Sequence, residues 1–258
     1  MTAHPTAVIH PQAKLASSVS VGPFAVIGEG VELGEDCEVM SHAVLAGPTR
    51  FGARNRVFPF ASIGLDPQDT KYGGELTRLE IGDDNTFREF VTIHRGTAEG
   101  EGVTRIGSHN LLMAYVHIAH DSRLGDHIIM ANAASLAGHV EIGDYATIGA
   151  FCAIHQFCRI GAYCFLGGYT WVNQDILPYS LTSSPRAAAV QSSNTIGLER
   201  RGFSRADRDE LEQAFRLLCR SKLNTTQALE AIEARGFHSE HVRALVDFIR
   251  SSERGVVK

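Results

Sequence analysis

The sequence has no large surplus of one charge, no long apolar run and no paired cysteines. Its 258 residues carry 24 lysines and arginines against 29 aspartates and glutamates, a formal charge of −5. A nucleic-acid-binding domain is expected to be strongly basic, so that class is excluded. No apolar run approaches the roughly 18 residues of a membrane span, so stable membrane insertion is not expected. The opening MTAHPTAVIHPQ lacks the basic and then apolar regions of a signal peptide, and the expectation is a cytoplasmic protein. Five cysteines is an odd number and no CxxC pair occurs, which argues against both a disulfide framework and a zinc knuckle.

What the sequence has instead is a beat of six. Ile9, Leu15, Val21, Ile27, Leu33, Val39, Leu45, Phe51, Val57 and Ile63 follow one another at that spacing. It resumes at Ile81, Phe87 and Ile93, and again from Ile106 through Leu112, Ile118, Leu124 and onward to Val172. Four residues after the aliphatic position small side chains dominate, among them Ala25, Ala43, Ala61, Ala134 and Ala146. Six is the period of neither a helix nor a simple strand. A repeat of this kind predicts a mainly β protein, a parallel β-helix of triangular section with three hexapeptides per coil of 18 residues. The family pattern of such prisms makes the coil left-handed. Cys37, Cys152, Cys158 and Cys164 occupy the small inward slot, so they are expected to be core filler.

Two segments leave the beat and predict excursion loops at about 65–80 and 94–105, within a prism covering 1–180. The register slips by one across the second, where thirteen residues separate Ile93 from Ile106. Insertions into a solenoid collect on its faces and often build the binding surface, which singles out Asp69, Lys71 and Arg95. After the proline-containing link ILPYSLTSSPR the pattern becomes helical. SRAD is a plausible capped start, and Leu211, Ala214, Phe215 and Leu218 hold helical spacing. NTTQALEAIEA and HSEHVRALVDFIR repeat the theme, so 190–258 is read as an α-helical C-terminal domain of three short helices.

The phasing also places the histidines. Ile118, Leu136 and Ile154 begin the same face of successive coils, and Ile93 begins it one coil earlier if the second excursion replaces only a corner. Gly138 and Gln156 then stack on His120, His139 stacks on Asp121, and His94 and His155 fall on the same strip, with His117 just across the corner. A neutral imidazole beside a carboxylate suits general-base work near pH 7. A glycine stacked on that imidazole leaves a backbone N–H uncovered for a developing oxyanion. No serine or cysteine stands beside these groups, which favours direct transfer to a bound acceptor over a covalent enzyme intermediate. A zinc-holding hexapeptide enzyme and a non-catalytic scaffold are the disfavoured rivals; no metal or cofactor is expected.

The stretches MAYVHIAHD, ASLAGHVEIGD, AIHQFCRIGA, VTIHRGT, QDTKYGGELTR and ERRGFS resemble the UDP-N-acetylglucosamine 3-O-acyltransferases, the enzymes that open lipid A biosynthesis. The resemblance covers almost the whole chain. It implies His120 as the base that deprotonates the sugar 3-hydroxyl, Asp121 as its orienting carboxylate and the Gly138 N–H as the oxyanion donor. It also implies an acceptor pocket of Asp69, Lys71, His94, His117, His139, His155 and Gln156, with Gly168 where the acyl tail ends. Asn194 matches a nucleotide-binding position. Arg200 and Arg201, with Arg216, Arg220 and Lys222, would form the basic surface for an acidic acyl carrier protein, the donor in that family. The family is a homotrimer with each site between neighbouring prisms.

The chain departs from the family pattern at three places. Ile196 replaces a glutamate in "NTIGL", the segment reads SSPRAAAV where the family has a glycine–asparagine pair, and Leu76 replaces a proline. These positions concern acceptor recognition, so the alternative is a related transferase using a 3-amino or other nucleotide sugar, or an acyl-CoA donor.

Overall fold

The computed structural model describes residues 1–183 and 188–258. Residues 184–187, within the divergent SSPRAAAV segment, lie outside the described residues. Nearly every aliphatic residue of the beat ends a strand of two to four residues, and among the described residues the strands stack into three walls, of 11, 9 and 8 strands, parallel throughout but for the last strand of the first wall. Wall 1 includes Leu111–Leu112, wall 2 His117–Ile118 and wall 3 Arg123–Leu124, so the chain circles the axis once per 18 residues. The result is a left-handed parallel β-helix with a helical region after it.

The narrow prism explains the pattern. Ile27, Leu45, Ile63, Ile93, Ile118 and Leu136 are all fully buried, and the small residue four positions on fills the space left by the opposite walls. The four slot cysteines are buried as expected, and burial raises their thiol pKa values. Where both excursions interrupt the coils, that slot holds asparagine instead. Asn55 accepts from the Asn85 amide at 3.0 Å, and Asn85 in turn from that of Asn110 at 2.9 Å. This internal ladder satisfies backbone donors where the coils are irregular.

Corner residues three after the aliphatic one adopt positive φ, for instance Asp121 at 58° and His139 at 60°. In-register coils stack these corners, so aromatic side chains form ladders. His109, His127, Tyr145 and Tyr163 lie at successive ring separations of 4.7, 4.6 and 4.8 Å along the edge between walls 3 and 1. The six-residue beat alone does not announce these ladders.

The excursions leave between Ser62–Leu65 and Arg78–Ile81, and between Thr92–His94 and Val103–Ile106. Ile93 pairs with Ile118 across the second one, so the wall continues without a break and the slipped residue is absorbed in the loop. After the prism, strand Ser180–Thr182 continues wall 1 and Val190–Ser193 returns antiparallel to it. Among the described residues four helices follow rather than three: α1 (Thr195–Arg200), α2 (Arg205–Cys219), α3 (Thr225–Arg235) and α4 (Glu240–Arg250). The extra one, α1, is a six-residue helix too short to show apolar periodicity. Ser204 caps α2, and Asn224 with Gln227 forms a capping box on α3. Among the described residues no helix is long and apolar enough to cross a membrane.

Candidate active site

Stacking along the edge between walls 2 and 3 brings His120, Asp121, Gly138 and His139 together. His120 Nδ1 donates to Asp121 Oδ2 at 2.9 Å, which leaves Nε2 as the proton acceptor. A Cβ built on Gly138 would lie 2.6 Å from His120 Cε1 and 2.8 Å from Nε2, so the imidazole rests where any other side chain would begin. Among the described residues the Gly138 amide makes no hydrogen bond, which leaves it available beside that nitrogen. The His139 ring is perpendicular to that of His120 at 5.2 Å and stacks on Phe157 at 4.5 Å.

Asp121 is buried, and the second excursion covers it. The Thr97 amide donates to both carboxylate oxygens at 3.1 and 3.0 Å, and the Thr97 hydroxyl to Oδ2 at 2.6 Å. Burial pushes this carboxyl up. The hydrogen bonds from His120 and Thr97 outweigh that and hold it below the ordinary aspartate value. His120, Asp121 and His139 offer ligand atoms within 4.8 Å of one another, a spacing compatible with a cation. Asp121 Oδ2, however, already accepts from the Thr97 amide, the Thr97 hydroxyl and His120 Nδ1, so the cluster is fully explained as a hydrogen-bond network.

His94 and His117 extend the strip downward, their rings 5.5 Å apart. His94 is buried and bonded through Nδ1 to the Asp66 carbonyl of the first excursion. His117 Nδ1 bonds the Thr92 hydroxyl at 2.8 Å. Burial, reinforced by His94, lowers the His117 pKa to about 4, so this ring is neutral at working pH. His155 and Gln156 continue the strip upward and are exposed; Arg254 Nη2 comes within 3.4 Å of His155 Nδ1. Asp69 and Lys71 stand on the first excursion. Lys71 Nζ pairs with Glu99 of the second at 2.9 Å, both exposed, and the hydrogen bond raises the lysine pKa. Arg95 is buried and donates to the Gly64 carbonyl at 2.6 Å, so it braces the loop bases rather than facing outward.

Gly168, Asn194, Arg200 and Arg201 do not join this strip within the chain. Gly168 stacks on Ala150 at the edge between walls 1 and 2. Asn194 caps α1 and donates to the Tyr163 carbonyl at 3.0 Å. With Arg200 and Arg201 it lines a cleft of about 840 Å³ on wall 1, floored by Ile129, Thr147 and Phe165. Arg201 lies 4.6 Å over the Tyr145 ring. Ile196, at the divergent position, also lines that cleft. This cleft is therefore away from the histidines. Thr97, Gly100, Thr104 and Phe157 are the site residues that sequence reading missed. The glycine-rich run Gly96, Gly100, Gly102 was the available signal, since a Cβ on Gly100 would lie 2.4 Å from Asp121 Oδ1.

The chain is similar to known proteins over its full length. Residues 175–257 match the family model described as UDP N-acetylglucosamine O-acyltransferase, domain 2, and residues 139–174 match the bacterial transferase hexapeptide repeat. The acyl-(acyl-carrier-protein)–UDP-N-acetylglucosamine O-acyltransferase of Halorhodospira halophila is 51% identical over 99% of this chain and 98% of its own. That of Thermodesulfovibrio yellowstonii is 46% identical over the same shares. Among solved structures, LpxA of Acinetobacter baumannii superposes with a TM-score of 0.95 at 41% identity over the whole of both chains. The UDP-N-acetylglucosamine acyltransferase of Francisella novicida gives 0.96 at 39%, covering 99% of this chain and 94% of that one. The chain belongs to the acyl-(acyl-carrier-protein)–UDP-N-acetylglucosamine O-acyltransferase family.

Proposed function

We propose that this protein moves a 3-hydroxyacyl chain from acyl carrier protein to the 3-hydroxyl of UDP-N-acetylglucosamine, the first step of lipid A biosynthesis. The observation that carries the reading is His120 held between the Asp121 carboxylate at 2.9 Å and the backbone of Gly138, in a chain about half identical to named transferases over its full length. His120 Nε2 takes the proton of the sugar 3-hydroxyl as its oxygen attacks the thioester carbonyl carbon. The Gly138 N–H receives the oxyanion of the tetrahedral intermediate. Collapse breaks the carbon–sulfur bond, and the imidazolium returns its proton to the departing thiolate of the carrier. Asp121 holds the tautomer and stabilises the imidazolium. No cofactor is needed.

Asp69, Lys71, His94, His117, His139, His155 and Gln156 line the acceptor side. Lys71 suits the anionic groups of the nucleotide, and neutral His117 offers hydrogen bonds without a charge. Gly168 leaves depth for the acyl tail. For Asn194, Arg200 and Arg201 to meet the same substrate, the wall 1 cleft of one chain must face the histidine edge of another, which a closed trimer provides. Arg200, Arg201 and Lys222 make no ion pair among the described residues, whereas Arg216 and Arg220 share Glu212. Together they form a basic face suited to an acidic carrier. The five free thiols suit the cytoplasm.

A mass-spectrometric transfer assay with 3-hydroxyacyl carriers of several lengths, 3-hydroxyacyl-CoA, UDP-N-acetylglucosamine and its 3-amino analogue tests this reading. Ester formation on UDP-N-acetylglucosamine from the carrier is expected. Preference for the 3-amino sugar or the coenzyme donor would replace it with the alternative that Ile196 raises.

A further inference from the structure

We propose that Thr97 is a positioning residue for the base, acting through Asp121. The proposal rests on the acyl-transfer reading and goes one shell outward from it. Asp121 sits on a corner at φ 58°, with its own amide donated to the Thr104 hydroxyl at 2.8 Å, so its backbone is fixed. Its carboxylate still has a free rotation, and two partners compete for it: His120 Nδ1 at 2.9 Å and His139 Nε2 at 3.8 Å. The Thr97 amide bridges both oxygens and the Thr97 hydroxyl takes Oδ2, which pins the plane of the carboxylate toward His120.

Thr97 itself is buried, and its carbonyl accepts from the amides of Gly100 and Gly102 at 3.2 and 3.0 Å, closing the turn over the carboxylate. The Gly100 contact shows how tightly this lid is drawn, for no side chain fits between it and Asp121. A buried carboxylate that accepts from several donors is held in one geometry, and removal of one donor loosens that geometry. The side chain and amide of Thr97 bond Asp121 and not the His120 imidazole. The effect of Thr97 is on the orientation and proton affinity of the His120–Asp121 pair.

Thr97→Val removes the hydroxyl at nearly constant volume, and Thr97→Ser restores it. The valine variant is expected to lose about tenfold or more in kcat with acceptor KM changed less than about twofold. A carboxylate short of one donor holds the imidazolium more tightly, so the acid limb of kcat/KM moves to higher pH. Thr97→Ser is expected within about threefold of wild type. In an Asp121→Asn background the valine change is expected to cost less than about twofold, because the route through the carboxylate is already lost. Wild-type turnover, measured in parallel, checks the reaction separately. ¹⁵N spectra of histidine-labelled protein report the His120 tautomer without turnover. Thr97→Ala, which places no methyl against the carboxylate, gives the same comparison if the valine variant does not fold. A serine variant as slow as valine, a wild-type pH profile in the valine variant, or losses that multiply with Asp121→Asn would each overturn the role.

Discussion

His139 lies one coil above Asp121 with its Nε2 3.8 Å from Asp121 Oδ2, while His120 reaches the same oxygen at 2.9 Å. Two imidazoles thus face one carboxylate, and only one is hydrogen-bonded to it. Phe157 accounts for the difference. It stacks on His139 and holds that ring at 90° to His120. Burial lowers the His139 pKa despite Asp121 beside it, and without a hydrogen bond to that carboxylate the ring lacks the orienting partner that His120 has.

That division predicts the outcome of two truncations. His120→Ala is expected to lower kcat by about 10³-fold, within the range a positioned general base contributes, with thermal unfolding close to wild type. His139→Asn keeps a hydrogen-bonding group and is expected to raise acceptor KM more than it lowers kcat. Steady-state kinetics on both variants decides the matter. A His120→Ala enzyme that keeps most of its turnover overturns the assignment.

Gly138→Ala tests the oxyanion side. The added methyl would stand 2.6 Å from His120 Cε1, so the imidazole must swing off Asp121. Glycine here does not have positive φ, so alanine suits the backbone and the fold is expected to survive with a Tm change under about 4 °C. Activity is expected to fall by about 10²-fold or more, as when an oxyanion donor is lost. Unfolding curves and kcat measured on the same preparation separate the two effects, and a fully active alanine variant refutes the close packing.

Much of this was legible in the residues. The beat of six fixes which side chains face inward, and 18 residues per coil puts Gly138 over His120 and His139 over Asp121 without any structure. His94 required one more step, that the loop after Ile93 replaces only a corner, and the Ile93–Ile118 pairing satisfies it. The contacts that periodicity cannot carry were missed. Thr97 and Gly100 reach Asp121 from a loop, where no repeat dictates which atom meets which. Asn194, Arg200 and Arg201, which the resemblance assigns to the same substrate, line a cleft on another wall, and they follow the prism, where the beat of six no longer places residues. The helix α1 escaped because six residues offer too few turns for an apolar stripe.

His117 makes the fold sensitive to acid. Its pKa is about 4 in the folded protein and about 6.5 in an unfolded chain. Between those values the unfolded chain binds a proton that the folded one does not, so stability falls as pH drops from about 6.5 toward 4. The full shift corresponds to about 3 kcal/mol. Asp121, whose folded value is depressed, adds its own loss only at still lower pH, as it protonates. Urea unfolding at pH 7.5, 6 and 5 is expected to show this decline in wild type and a shallower one in His117→Gln. Parallel curves would remove His117 as the cause.

The separation of the histidine edge from the wall 1 cleft leads to a test by subunit mixing. His120 stands on the edge between walls 2 and 3, while Arg201 lines the wall 1 cleft over Tyr145. If the base comes from one chain and the arginines from its neighbour, His120→Ala and Arg201→Ala damage different chains of the same site. Random trimers formed from equal amounts of the two variants then contain about one site in four with both residues intact. Turnover at low acyl-carrier concentration is expected to rise to about a quarter of wild type after the two inactive preparations are unfolded and refolded together. Refolding each alone gives no such rise. Were both residues to serve a site within one chain, every chain of the mixture would carry a defect, and the mixture would stay at the mean of its parents.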